Sequence, residues 1–344
     1  MGNAGVEIFF VISGYVVSAS FFRTLAVDKS IGFIANLENN IGALKAFFIK
    51  RIFRLFPVVV LLVTANIICK LLFPAAMNTT VTEQIMGLFS HITMQTDMDV
   101  IIFTLHNTSR NLNHLWSLAV EERFYLFVPF IYLFCASIRR FMALAVTIII
   151  GLSILKSLYP FPAITAHSNG FLHFDSFMFG ILIYLLGAHT NVMRLIFRKK
   201  HSPVAMTALS ILILVIIARL PVAKVNATDA VTYIGSTYYY LCVYAFSSVL
   251  VALAAQDKGY VLNIPGLRRA LSWIGDKSYS IYVFQLFYIA ATAKVAAYLH
   301  IADTQPVLTT LLFAAITTIG SEVIYRFWES PLRNYGRMVA GTVA

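Results

Sequence analysis

The sequence predicts an all-α protein, a polytopic transmembrane helical bundle. Of its 344 residues, 59% are hydrophobic and 12% are charged, about half of the charged fraction usual in soluble domains. Phenylalanine alone occupies 28 positions. Lipid-facing helices account for this composition, because the bilayer replaces water around them. We therefore expect residues 1–344 to form a single domain in a multi-pass protein of the inner or plasma membrane.

Nine apolar runs are long enough to span a bilayer. Each has about 17–22 residues, the length at which a helix crosses a hydrocarbon core of roughly 30 Å. The runs cover residues 6–22, 53–73, 118–135, 141–158, 171–188, 204–220, 238–255, 279–299 and 307–328. A more polar segment, residues 74–115, separates the second run from the third. We expect it to be a loop on the outer side of the membrane.

The lysine and arginine positions predict the orientation of these spans. If the first run ends in the cytoplasm, 19 of the 26 basic residues face the cytoplasm, 6 face the outside, and Arg123 lies within a helix. Cytoplasmic loops carry such an excess of basic residues. The net charge of +11 therefore indicates topology. Nucleic-acid binding is not expected, since no basic stripe is interleaved with exposed aromatic residues.

Nine spans place the two termini on opposite sides, with the N-terminus outside. No basic leader segment precedes the first run. On this ground we expect a further helix upstream of Met1. At the other end, Pro331 follows the ninth run and predicts the end of the last helix.

Two arginines, Arg51 and Arg54, stand at the predicted inner mouth of the second span. Residues three apart share a helical face, so two guanidinium groups there can clamp a phosphate. The alternative is that both side chains anchor the helix by reaching the interface. Spacing alone favours the anchoring role.

A block of polar residues, from His114 to Tyr125, opens the third span at its predicted outer end. Carboxylates within an apolar helix are costly unless they face a wet cavity or partners. His114 and Glu121 are candidates for an acid–base or orienting pair. The alternative is an interfacial helix start, with Trp116 in the aromatic belt and acidic residues in the first turn.

Other polar residues enter predicted spans from the same side. Glu7 lies in the first run, six residues before Ser13, and His173 and Asp175 enter the fifth run. The spacing of the last two is wrong for a metal site, and we expect no bound metal. We expect a polar cavity lining that consists of Glu7, Ser13, Trp116, Tyr125 and Asp175.

Taken together, these blocks resemble the acyltransferase 3 family of integral-membrane enzymes that acylate sugars and glycans. Three blocks carry most of the resemblance, and three weaker ones follow later in the chain. In order they are residues 5–15, 51–57 and 114–125, then 174–180, 278–282 and 329–333.

The resemblance implies a ten-helix fold whose first helix, bearing a histidine base, would precede Met1. It implies a cytoplasmic acyl-coenzyme A donor near Arg51 and Arg54, with no permanently bound cofactor. The acceptor would be a hydroxyl of a sugar, polysaccharide or lipid-linked glycan, and the acyl group acetyl. Within this chain, His114 and Glu121 are then the candidate catalytic residues.

Two alternatives remain on the sequence alone. One is a small-solute transporter, since Glu121, Arg123 and Asp175 would lie within the membrane; the sequence shows no inverted repeat to support it. The other is a truncated, inactive acyltransferase-like protein. On that reading the chain as written would have little or no turnover.

Overall fold

The computed structural model describes residues 2–73, 80–96, 112–158, 170–197, 202–219, 232–256, 260–261, 264–301 and 305–343. Helices dominate these ranges, and the predicted all-α class is confirmed. In chain order they are α1 (Gly2–Phe21), α2 (Phe33–Asn39), α3 (Ile41–Leu72), α4 (Val81–Ile92), α5 (Trp116–Cys135), α6 (Ile138–Leu158), α7 (Phe174–His189), α8 (Val192–Ile196), α9 (Pro203–Arg219), α10 (Thr232–Ala254), α11 (Pro265–Tyr298), α12 (Pro306–Ile324) and α13 (Ser330–Val343). Short 3₁₀ turns, Asn113–Leu115 and Gly170–His173, precede α5 and α7.

Each of the nine predicted runs falls on a helix, and the chain is an integral membrane protein. Within the described ranges, six helical segments are long and apolar enough to cross a bilayer. The remaining three runs correspond to α5, α9 and α10. Among the described residues, the apolar stretches of α9 and α10 are shorter than a full span, and the first turns of α5 carry Glu121, Glu122 and Arg123.

The segment expected to be a loop, residues 74–115, contains a helix that sequence reasoning missed. Thr80 and Glu83 form a capping box at the start of α4, in which Thr80 Oγ1 accepts from the Glu83 backbone and Glu83 accepts from the Thr80 backbone. Two otherwise unsatisfied donors are thereby paired. The Thr80-x-x-Glu83 spacing in the sequence is typical of such a capping box and could have predicted the start of this helix.

The expectation that Pro331 ends the last helix is wrong. A π-helical turn, Tyr325–Glu329, interrupts the helix, and α13 then continues to Val343. Pro331 follows this turn directly, within a helix that runs on from α12. In the π-helical turn the Ser330 backbone N–H bonds to the Tyr325 oxygen, five residues back, and this wider turn accommodates a proline that would otherwise clash with the preceding α-helical turn. Single π-helical turns occur frequently at functional sites.

The described chain divides into two compact units. The first contains α1, α2 and α5–α10, and the second contains α4, α12, α13 and nearly all of α3 and α11. Within the first unit, α1 packs along α7 at a glycine contact. A Cβ atom on Gly14 would collide with the backbone oxygen of Phe177, and one on Gly180 would collide with that of Val11. Small residues of this kind let membrane helices approach closely.

Within the second unit, glycines again mark the tightest contacts. Gly336 of α13 lies against the Phe53 ring of α3, and Gly320 of α12 lies against the Tyr288 ring of α11. The Tyr279 hydroxyl donates to the Leu55 backbone oxygen at 2.5 Å, which joins α11 to α3. These contacts hold α3, α11 and the last helix together around the polar groups of this unit.

Candidate functional site

A buried cluster of ionisable side chains lies in the first unit. Glu7 Oε1 is 2.6 Å from His173 Nδ1, and Lys156 Nζ is 2.7 Å from Asp175 Oδ2. Lys156 also donates to the Tyr244 hydroxyl at 3.4 Å. The imidazole of His173 faces the Glu7 carboxyl group with its Nδ1 atom. The cluster therefore comprises two carboxyl groups, each close to a side-chain nitrogen atom.

The close approach of α1 and α7 positions this cluster. Phe10 stacks on Phe177 with ring centroids 4.5 Å apart, one turn beyond Glu7. Trp116 lies close to His173, at 5.5 Å between ring centroids. The Phe10 ring is also close to His173, at 5.8 Å between ring centroids, so aromatic side chains from α1 and α5 surround the imidazole.

Glu121 lies in the first unit as well, on α5. Ser13 Oγ donates to Glu121 Oε1 at 2.8 Å, and both residues are buried. This bond joins the middle of α1 to the first turns of α5. Tyr125, one turn further along α5, is also buried. The predicted pairing of Glu121 with His114 stays a prediction.

His114 lies in the second unit, in the 3₁₀ turn before α5. Its Nε2 is 2.9 Å from the backbone oxygen of Val283 on α11, and the Tyr282 hydroxyl donates to its backbone oxygen. A carbonyl oxygen only accepts, so Nε2 carries a hydrogen. In the neutral imidazole, Nδ1 is then the basic nitrogen. Two neighbouring residues of α11 thus fix both the position and the tautomer of His114.

His114 lines a cavity of about 260 Å³ between α3 and α11. The wall is mostly apolar, with Asn66 and Cys69 from α3 and Lys294 from α11 as its other polar groups. Asn66 is buried, and its amide lies 3.4 Å from the Gln84 side-chain oxygen. An apolar pocket with a few convergent polar groups is typical of small-ligand sites.

The predicted donor arginines lie on α3 in the same unit. The Arg51 guanidinium is 5.4 Å from the centre of the Phe47 ring, and both arginines are half-buried. The positive charge of Arg54 acts on the buried carboxylate of Glu329. Arg54 is 12 residues before Asn66 in the cavity wall, which places them about 18 Å apart along the helix axis.

The π-helical turn adds polar groups beside Arg54 that were not predicted as site residues. Ser280 Oγ donates to Glu329 Oε2 at 2.5 Å, and Arg333 Nη1 lies 3.8 Å from Glu329 Oε1. Arg333 also donates to the Tyr325 hydroxyl at 3.0 Å. In the sequence, residues 329–333 form one of the blocks that resemble the acyltransferase 3 family, but no role was predicted for them.

Lys156 and Tyr244 were missed in the first unit. Lys156 contributed to the prediction of topology as one of the basic residues, and Tyr244 is one aromatic residue among many. The Oδ2 atom of their partner Asp175 contacts Lys156, and the expected cavity-lining role of Asp175 stays a prediction. Within the described ranges, no group of three or more histidine, cysteine or carboxylate side chains is placed to hold a metal ion.

The fold and the site together indicate a membrane-bound group-transfer enzyme. It has helices of membrane length and a histidine of fixed tautomer at an apolar cavity. One helix of the cavity wall, α3, also carries the two arginines. The chain belongs to the acyltransferase 3 family: the family model, described as an acyltransferase domain, matches residues 1–326. The resemblance seen in the sequence is thereby confirmed. The chain is thus an integral-membrane member of an acyltransferase family.

Several named relatives share this region. The chain is 27% identical to the peptidoglycan O-acetyltransferase OatA of Listeria monocytogenes, over 97% of the chain and 52% of the relative. It is 26% identical to putative O-acetyltransferases of Staphylococcus aureus, over 97% of the chain and 53% of the relative. It is 25% identical to the putative peptidoglycan O-acetyltransferase YrhL of Bacillus subtilis, over 97% and 51%. The chain thus spans about half the length of these relatives, and no solved structure matches it.

Proposed function

We propose that the chain transfers an acetyl group from acetyl-coenzyme A to a hydroxyl of a cell-envelope glycan of the peptidoglycan type. The observation that carries this proposal is the orientation of His114 at the cavity between α3 and α11. The Nε2 hydrogen bond to Val283 leaves Nδ1 as the basic nitrogen of the neutral ring. The relatives named as peptidoglycan O-acetyltransferases support the acceptor class.

In this mechanism, Nδ1 of His114 removes the proton of the acceptor hydroxyl. The oxygen attacks the thioester carbonyl carbon, and the carbon–sulfur bond breaks. The coenzyme A sulfur leaves as a thiolate and takes the proton back from the imidazolium, so that one ester and one thiol are formed. General-base assistance of this kind is worth roughly 10²–10⁴-fold in rate.

Arg51 and Arg54 would bind the phosphates of the donor. In coenzyme A a long flexible arm separates the phosphates from the thioester. The separation of about 18 Å along α3, between Arg54 and the cavity wall at Asn66, suits a ligand of this shape. On the predicted topology, the arginines face the cytoplasm, where the donor is available, and the cavity lies towards the outer side.

Glu121 is proposed as a positioning residue of the first unit, held by Ser13 at 2.8 Å.

The Glu7–His173 pair supports a second candidate for the base. In the tautomer that carries its hydrogen on Nδ1, 2.6 Å from the Glu7 carboxyl oxygen, Nε2 of His173 is the basic nitrogen. His114 remains the first candidate because it lines a cavity large enough for an acyl group.

The proposed reaction is tested with membranes that contain the chain, with labelled acetyl-coenzyme A and with peptidoglycan fragments as acceptor. We expect label to enter the glycan as an ester that mild base releases. Fragments that lack free sugar hydroxyls serve as the control acceptor. Label that enters lipid or protein, with none in the glycan, would contradict the proposed acceptor.

A further inference from the structure

A second cavity lies in the first unit, at the opposite ends of the helices from the Glu7 cluster. Its volume is about 420 Å³. Three apolar helices begin or end at its wall: α5 ends at Cys135, α6 begins at Ile138, and α7 ends at His189. When such helices cross a bilayer, their ends lie at the level of the phospholipid headgroups. The cavity is therefore placed at a membrane–water interface.

The wall of this cavity is cationic. Lys29, Arg139 and His189 line it, and Tyr132, Ser137 and Thr190 add polar groups. Among the lining residues that the structure describes, none carries a carboxylate. Lysine and arginine together with hydroxyl groups are the side chains that bind phosphate esters. Basic pockets on the cytoplasmic side of membrane helices bind anionic headgroups in this way.

Helix ends also contribute partial charges at this cavity. Ser137 and Ile138 lie at the cavity, and the 21-residue helix α6 begins there. Ala136, just before it, has a φ angle of 49°, a left-handed conformation that turns the chain sharply between α5 and α6. The backbone N–H groups of a helix start favour anions. The C-termini of α5 and α7 lie at the same wall and carry the opposite partial charge. The positive potential of the cavity therefore rests on the basic side chains.

One carboxylate, Asp28, lies next to Lys29 along the chain. Its Oδ1 accepts from the Ser30 hydroxyl at 2.6 Å and from the Ser30 backbone N–H at 2.8 Å. The Ser30 hydroxyl beside it holds the pKa of this carboxyl below its usual range. Asp28 is thus an ionised group that accepts hydrogen bonds from Ser30 in its own turn. It is not among the residues that line the cavity.

We infer that this cavity binds a phosphate ester, with Lys29 and Arg139 as the principal ligands. Two sources share this chemistry, the headgroup of an anionic phospholipid and the nucleotide phosphates of a soluble ligand. The apolar part of the wall, Val27, Ile138 and Met142, suits the glycerol and first acyl carbons of a lipid. The described residues that line the site all belong to the first unit.

The test is binding to the purified full chain in detergent, followed by native mass spectrometry. The probes are phosphatidylglycerol and adenosine 3′,5′-bisphosphate. The double variant Lys29→Gln/Arg139→Gln should bind at least one of them about tenfold more weakly than the wild type, because two charge-assisted contacts are lost. The probe whose affinity falls identifies the source. Each single variant should show a smaller loss.

Lys45→Gln is the matched control, since Lys45 is an exposed cation predicted on the same side of the membrane and lies outside the cavity. It should bind both probes as the wild type does. An unchanged thermal unfolding temperature of the double variant shows that its fold is retained. If the double variant does not fold, the two single variants are used for the binding measurement instead. Equal affinity of wild type and variants for both probes, or no binding of either probe by the wild type, would overturn the inference.

Discussion

His114 and Val283 are joined by a hydrogen bond of 2.9 Å between the imidazole Nε2 and the backbone oxygen. A backbone carbonyl cannot change its protonation state, so it fixes the tautomer of the neutral ring more firmly than a titratable side chain would. Tyr282, the preceding residue, holds the His114 backbone through its hydroxyl. The histidine is thus tied to α11 at two points and presents Nδ1 as its basic nitrogen.

The donor arginines lead to a prediction about charge and shape. If Arg51 and Arg54 clamp phosphates, Arg51→Lys and Arg54→Lys should weaken acetyl-coenzyme A binding almost as much as the alanine variants do. The reason is that lysine lacks the planar, bidentate guanidinium. Equilibrium binding of the labelled donor to purified variants measures this. Lys50→Gln, an exposed neighbour on α3, is the control. Wild-type affinity in both lysine variants would leave the arginines as helix anchors.

The contact between α1 and α7 predicts a steric effect of a single methyl group. Gly14→Ala places a Cβ atom against the backbone oxygen of Phe177, whereas Gly5→Ala meets nothing within 4 Å. Overpacking of this kind costs about 1–3 kcal/mol. We therefore expect a lower thermal unfolding temperature for Gly14→Ala and an unchanged one for Gly5→Ala. Equal stability of the two variants would show that α1 and α7 do not approach this closely.

The Lys156–Asp175 pair predicts a non-additive pair of substitutions. Lys156→Met leaves the buried Asp175 carboxylate without its cation, and breaking a buried pair costs about 3–5 kcal/mol. Adding Asp175→Asn removes the uncompensated charge, so the double variant should be more stable than Lys156→Met alone. Thermal unfolding of the single and double variants in one detergent measures this coupling. Strictly additive losses would mean that the two side chains do not interact.

The orientation of the spans predicts the outcome of reporter fusions. Fusions after Lys200 and after Ala344 should report a cytoplasmic location, and a fusion after Asp97 should report an external one. The basis is the excess of 19 basic residues on one side over 6 on the other. These reporters need no functional enzyme. A cytoplasmic signal from the Asp97 fusion would reverse the orientation of the whole chain.

Hydrophobic runs predicted the helices well, because the apolar length of a span is written in contiguous residues. The boundaries near α4 and Pro331 were harder to predict. The short amphipathic helix α4 does not resemble a membrane span in its hydropathy. The π-helical turn that allows α13 to continue cannot be recognised from the amino-acid composition. Both depend on local hydrogen bonds that hydropathy does not report.

The site was predicted less completely than the fold. Single residues were recognised where a polar group interrupts an apolar run, as with Glu7, Glu121 and Asp175. The contacts that these residues make with one another and with Lys156 were not predicted, because tertiary contacts join residues that are far apart in sequence. Ser13 and Glu121 are separated by 108 positions, and His114 and Val283 by 169. No periodicity within a helix reports such a pair.

The central claim, that His114 is the base, is tested most directly by the rate of acetyl transfer in the His114→Gln variant. Glutamine keeps a donor that can bond to the Val283 oxygen but cannot take up the acceptor proton. We predict a fall of roughly 10²–10⁴-fold in kcat, with acetyl-coenzyme A binding and thermal unfolding unchanged. His300→Asn, an exposed histidine of the same unit, should keep wild-type turnover. Wild-type turnover in His114→Gln would contradict the account and leave His173 as the residue to substitute next.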